Sequence, residues 1–151
     1  MLVAAGVLVT LLVFAWWLRS RFTLVTVLGL SMAPTFGNGD RVLVSRVPAG
    51  RIRAGEIVVI SFPAQEPGRQ WIIKRVAAVG GERVPDWLTS SPGLTGAAAV
   101  PAGSLVVIGD NREASLDSRQ AGFLPADQVL GVVRRRMRAA RGVNGPGLKA
   151  G

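Results

Sequence analysis

The sequence predicts a mostly β protein, with one N-terminal transmembrane helix followed by a compact antiparallel β domain. Three observations carry that expectation. Leu2 to Leu18 is an unbroken apolar or small run without a charge. After it come six short runs rich in Val and Ile, separated by Gly, Pro, Asn and Asp, which is strand-and-turn chemistry. No later stretch keeps a 3.6-residue period between helix caps. With 151 residues the chain is long enough for one domain with a real core.

The first run holds seventeen residues, about 26 Å at about 1.5 Å each, the short end of a membrane span. Trp16 and Trp17, then Arg19 and Arg21, read as interfacial aromatics followed by charged anchors. A cleavable leader would start with basic residues and end in a small-x-small site; this run has neither. The strand candidates are FTLVTVL, VLVSRV, EIVVISF, QWIIKRVAAV, SLVVIG and QVLGVV, and the turns between them are GNGD, VPAGRIRAG, FPAQEPG, VGGE and GDNRE. The expected organisation is an anchor over 1–21, a β-rich domain over 22–138 and a basic, disordered tail over 139–151. Residues 85–103, low in charge and punctuated by Pro and Gly, read as a long loop.

The net charge of +9 and pI near 11.8, with a mean hydropathy of +0.38, imply attraction to anionic surfaces. No helix-turn-helix, zinc finger or aromatic-studded sheet supports nucleic acid. The expected partner surface is therefore membrane lipid with anionic headgroups, which the arginine run from Arg134 to Arg141 would meet if it is more than a solvated tail. The chain has no cysteine, so a disulfide scaffold is excluded.

Candidate chemistry starts at Leu30-Ser31-Met32-Ala33-Pro34-Thr35-Phe36. Pro34 fixes its own φ and pushes Ala33 away from the helical region, while Gly29 leaves room two residues before the serine. Ser31 is thus expected on a stiff, extended segment, as either a presented nucleophile or an ordinary strand end. The chain also has no histidine. A Ser-His-Asp triad, a Cys-His pair and an imidazole or thiolate zinc site are all excluded. A base for Ser31 must then be a carboxylate, the α-amine or a neutral lysine. Of eighteen Lys and Arg, sixteen are arginine, which never deprotonates in a protein. Lys149 lies in the tail, leaving Lys74 as the one lysine in the body of the chain.

In WIIKRVAAV strand alternation puts Ile72, Lys74 and Val76 on one face and Trp71, Ile73 and Arg75 on the other. Apolar neighbours would lower the lysine pKa, so that a neutral amine accepts a proton from serine; a lysine on a half-exposed strand is the ordinary alternative. A third stretch, Gly109-Asp110-Asn111-Arg112-Glu113-Ala114-Ser115-Leu116-Asp117-Ser118-Arg119, is dense in polar groups. It reads as a surface hairpin loop or as a wired network in which Asp117 pairs Arg119 and Ser115 orients an amine.

The three blocks SMAPTF, KRVAAVGGE and GDNREASLDSRQAG, in that order behind an apolar helix, resemble the type I signal peptidases, membrane-bound Ser/Lys peptidases that cut signal peptides from exported precursors. The resemblance implies the β fold of that family, with Ser31 as nucleophile, Lys74 as general base and Ser115 orienting the lysine. Asp117 and Arg119 would form a structural ion pair. The oxyanion hole would use the backbone N–H of Ser31, with Gly29 where some members place a hydroxyl. Substrate would add as an extended strand along Leu30 and along Trp71, Ile72 and Ile73, with small residues preferred at the first and third positions before the cut. Signal-peptide-bearing precursors are the implied partners, and no metal or organic cofactor is implied. The family has a glycine and then Pro-Gly-Asp where this chain has Ala78 and Gly80-Gly81-Glu82, so the turn after Lys74 departs from the pattern. The arginines after the helix would place the domain in the cytoplasm; the resemblance places it outside, as a single-pass protein of the cell membrane.

Three other functions compete. The protein would be a dedicated maturation peptidase for one or few precursors, an inert membrane-anchored module that binds peptide or lipid, or a self-cleaving transcriptional regulator that also uses Ser and Lys.

Overall fold

Residues 2–61 and 71–137 are described in a computed structural model of the chain. The chain opens with helix α1 (Leu2–Arg21), which passes directly into β1 (Phe22–Thr26). There follow β2 (Arg41–Ser45), β3 (Ile57–Ser61), β4 (Trp71–Val79), β5 (Ser104–Ile108), the short helix α2 (Ser118–Ala121), β6 (Leu124–Pro125) and β7 (Val129–Met137). The strands form one seven-stranded sheet in the order β1-β2-β7-β3-β4-β5-β6, and every neighbouring pair is antiparallel. The mostly antiparallel β class expected from the sequence is the fold observed.

The sheet is covered on both faces at its centre. Val58, Val59 and Ile60 are all fully buried, which is why β3 reads as a continuous apolar run without alternation. Val58 and Ile60 pack with Ile52, Val76, Leu105, Val107 and Val132 on one face. Val59 packs with Val25, Val42, Val44, Ile73, Met32 and Phe36 on the other. Burial on this scale is worth about 1.5–3 kcal/mol per large aliphatic side chain.

Four expectations change. First, Ser31 is not on an extended segment. Residues 31–35 form a turn, with the Ala33 N–H donating to the Leu30 carbonyl and Phe36 N–H to that of Met32; Met32 and Phe36 are pulled into the core, and that burial curls the chain. Second, Ile73 is core, 6% exposed, because the sheet is covered on both faces and strand alternation cannot leave one face free. Third, residues 85–103 are packed. They carry 3₁₀ turns at Asp86–Leu88 and Pro92–Leu94, and Val84, Leu88, Leu94 and Val100 close on Ala78 and Val106 as a third cluster. Fourth, β7 continues through Arg134–Met137, paired with Arg41–Leu43, where the sequence suggested a basic run beyond the last strand. The turn after β4 closes despite its unfamiliar residues: Gly81 takes φ +86°, and the Glu82 N–H donates to the Val79 carbonyl.

Among the described residues no helix is long and apolar enough to cross a membrane. The transmembrane anchor expected over 1–21 is therefore not borne out by the described residues; α1 runs over 20 residues with two arginines in its last turn. The tail over 139–151 and the FPAQEPG turn beyond Ser61 lie outside the described residues.

Candidate active site

Lys74 sits on β4 opposite Val58 and is only 4% exposed. Its Nζ donates to Ser115 Oγ at 2.7 Å. Ser115 Oγ in turn donates to Asp117 Oδ2 at 2.8 Å. Asp117 also accepts from the Gly109 N–H at 2.9 Å, from Arg119 Nε at 2.9 Å and Nη2 at 3.0 Å, and from the Arg119 N–H at 3.2 Å. Its carboxylate is fully buried and caps α2. Burial alone would raise the Asp117 pKa; the Arg119 guanidinium, the Gly109 N–H, Ser115 and the Arg119 N–H outweigh it and hold it below the ordinary range. An ionised Asp117 can only accept. The Ser115 proton must therefore point at Asp117, and the lysine must be the donor to Ser115. A neutral amine so bound keeps its lone pair for another group.

The Lys74 pKa is lowered, first by burial and also by the nearby Arg119 charge, against the attraction of Asp117. The apolar strand face expected from the sequence supplies that burial.

Ser31 reaches the same place from the β1–β2 connection. Its carbonyl accepts from the Asn111 N–H at 3.0 Å. A Cβ built on Gly109 would overlap Ser115 Oγ and lie 2.6 Å from the Ser31 carbonyl oxygen. Continuing the β4–β5 register by one residue puts Gly109 opposite Lys74. So Ser31, Lys74 and Ser115 converge over a residue that must lack a side chain. Among the described residues Ser31 Oγ makes no hydrogen bond to Lys74. Gly29, at φ +87°, has its N–H taken by Asn38 Oδ1 at 2.9 Å, so it offers no free donor beside the serine.

Of the substrate edge read from the sequence, Leu30 is 59% and Trp71 38% exposed, Ile72 is half-buried, and Ile73 belongs to the core. The edge itself is open in one place. β3 pairs with Trp71–Arg75 on one side, but β5 pairs only from Arg75 onward on the other.

A second network was not read from the sequence. Arg75 grips Asp110 with Nε at 2.8 Å and Nη2 at 2.7 Å and donates from Nη1 to the Gly55 carbonyl at 3.0 Å. Thr35 donates from Oγ1 to the same Asp110 carboxylate. Arg75 lowers the Asp110 pKa, against burial and with help from Thr35. This clamp ties the Ser31 turn, the Lys74 strand and the loop after β5 together. The signal available was Gly109-Asp110-Asn111 following a buried strand, which alone is ordinary turn chemistry. The loop that carries Ser115 is braced once more: Arg112 stacks on the Trp87 ring at 4.6 Å, and its carbonyl accepts from Arg119 Nη2 at 2.8 Å.

Known proteins resemble this chain in sequence. Signal peptidase IB of Staphylococcus aureus (strain COL) is 29% identical over 147 residues, covering 74% of this chain and 75% of that protein. Signal peptidase I of Bacillus caldolyticus is 30% identical over 163 residues, covering 87% and 84%. Among solved structures, a signal peptidase I of Enterococcus faecalis V583 aligns at 23% identity with a TM-score of 0.45, over 56% of this chain and 97% of that one. The sequence pattern described as signal peptidase, peptidase S26, matches residues 1–85 and 87–138, and the chain therefore belongs to that family.

Proposed function

We propose that this protein is a membrane-attached serine endopeptidase that removes signal peptides from exported precursors, with Ser31 as nucleophile and Lys74 as general base. The observation that supports it most is the buried lysine whose hydrogen-bond acceptor among the described residues, Ser115, is oriented by an ionised Asp117, beside the turn that carries Ser31. Family membership supplies the hydrolytic chemistry; the residue roles are our reading of the geometry.

In that reading Ser31 Oγ attacks the scissile carbonyl and its proton passes to Lys74 Nζ. The tetrahedral intermediate collapses to an acyl-enzyme as the Lys74 ammonium protonates the leaving amine. Water then attacks the ester, again giving its proton to Lys74, and collapse returns a proton to Ser31 and frees the new carboxylate. The Ser31 N–H, unengaged among the described residues, is the donor for the oxyanion; one such donor is worth about 2.7–4 kcal/mol. Precursor binds as an extended strand along the open edge at Trp71–Lys74. Asp117 and Arg119 hold the scaffold beneath.

The attachment reading rests on α1. Val7, Leu8, Val9, Leu11, Leu12, Val13 and Phe14 are each 55–60% exposed, so the helix is apolar around its whole circumference and needs a nonpolar medium. With Leu2–Arg21 helical, it serves as a single-pass anchor with the β domain on the extracytoplasmic side and signal-peptide-bearing precursors as partners.

Detergent-solubilised full chain is expected to cut a precursor at an Ala-x-Ala site, and Ser31→Ala and Lys74→Arg are each expected to abolish the cut while folding normally by circular dichroism. Substantial cleavage by Lys74→Arg would remove the lysine as base. Cleavage of several unrelated precursors would argue against a dedicated maturation enzyme.

A further inference from the structure

The peptidase chemistry leaves one face of the sheet unexplained. Phe22, Leu24 and Thr26 of β1 share it with Arg41, Leu43 and Ser45 of β2, in cross-strand rows that reach Arg135 and Met137 of β7. On the reverse side Val25, Val42 and Val44 are core. On this side Phe22 is 37%, Leu24 46% and Met137 45% exposed. The end of α1 leans over the face and leaves an open groove lined by Ala15, Leu18, Arg19, Phe22, Leu24 and Leu43.

Charge is sorted across this end of the sheet. Arg136, on the reverse face, pairs with Asp40 at 2.7 Å, and Arg134, at the bulge in β7, pairs with Glu56 at 3.3 Å. Arg135, between them, lies in the row of Leu24 and Leu43, and Arg41 lies in the next. The elements that build the groove face, α1, β1, β2 and β7, contain no aspartate or glutamate. Arg19 thus lines an apolar groove, Arg135 lies in the row of two of its lining residues and Arg41 in the next row, and the groove's own elements supply no counter-charge.

We propose that this groove is a binding site for one anionic phospholipid, the phosphate held by Arg41, Arg135 and Arg19 and an acyl chain laid along Leu18, Phe22, Leu24 and Leu43. An amphiphile fits better than a free anion, because the apolar floor is continuous with the exposed apolar surface of α1, and cations beside a hydrocarbon-facing element attract anionic headgroups. The site rests on the membrane-attachment reading above. It fixes the tilt of the β domain at the headgroup layer.

The test is native mass spectrometry of the full chain released from micelles holding equal phosphatidylglycerol and phosphatidylcholine. Wild type is expected to retain one phosphatidylglycerol preferentially. R41Q/R135Q is expected to lose that preference by about thirtyfold and to cut a soluble peptide in detergent as wild type does. R51Q/R53Q, with the same loss of charge on an exposed turn elsewhere, is expected to keep it. Equal preference in wild type and R41Q/R135Q overturns the site. So does an equal loss in R51Q/R53Q, which would mean bulk charge alone, and so does displacement of the lipid by an oligonucleotide, which would make the groove a nucleic-acid surface. A protein that stays with phosphatidylcholine vesicles but shows no phosphatidylglycerol preference sinks the groove and leaves attachment standing. A protein that stays soluble without detergent and joins no vesicle sinks both.

Discussion

Lys74 shows how one side chain trades stability for chemistry. Its folded pKa lies below the ordinary value near 10.5, so the folded chain holds the lysine proton less tightly than the unfolded one. The sign follows: as pH falls from above 10.5 through the folded value, the unfolded state gains the proton first and stability declines. The same depression brings the neutral amine, the form that can act as a base, nearer to working pH. The rate constant kcat/KM is therefore expected to rise with pH along an acid limb set by Lys74. Arg119→Gln removes a charge that lowers the Lys74 pKa and leaves Asp117, which raises it, unopposed. We expect the limb to move to higher pH in that variant, with about tenfold less activity on the limb per unit moved; a limb that stays put would show that Arg119 only braces the fold. Ser31, Lys74, Ser115, Asp117 and Arg119 could be singled out from the sequence because the order of their three blocks resembles one family and no histidine competes for the base; each block alone had an ordinary alternative. The Thr35–Asp110–Arg75 clamp was not legible there. It joins three segments whose proximity only the folded sheet creates, and Asp110 sat inside an ordinary turn signature.

At the level of elements, the stretch between β4 and β5 has a clearer purpose than its composition suggested. Its low charge comes from four buried apolar side chains, a three-dimensional reason that Pro and Gly spacing conceals. It also delivers Trp87 to the loop that carries Ser115. An exposed cation–π contact is worth about 0.5–1 kcal/mol, enough to bias a loop without deciding the fold. Trp87→Ala is expected to lower kcat about three- to tenfold with KM little changed, and Trp87→Phe, which keeps a ring face under Arg112, is expected to recover most of it. Equal loss in both variants, or a rise in KM alone, would remove the brace from the catalytic account. The strands themselves were read with small errors at their ends. β6 was missed because two residues ending in proline carry no periodicity, and β7 ran on because its ladder with β2 is made by backbone groups that arginine supplies as well as valine does.

The whole molecule depends on its last strand. The Ser31 turn hangs from β1 and β2, while Lys74 and the Ser115 loop belong to β4 and β5. Between those two groups lie β7 and β3, and β7 is the strand that joins them, pairing β2 on one side and β3 on the other. A chain ending at Gln128 is expected to lose cooperative thermal unfolding and all cleavage; a truncated protein with a sharp transition and measurable activity would show that the halves dock without it. The antiparallel class was legible from the sequence, but this order was not, since nothing in a run of valines says which neighbour it will take. That order also sets a clock. Contacts between residues about ninety apart in sequence close slowly, and a chain that emerges from its N-terminus onward makes this joining strand last. Both halves of the site exist before they meet, and they are joined only once β7 has been made.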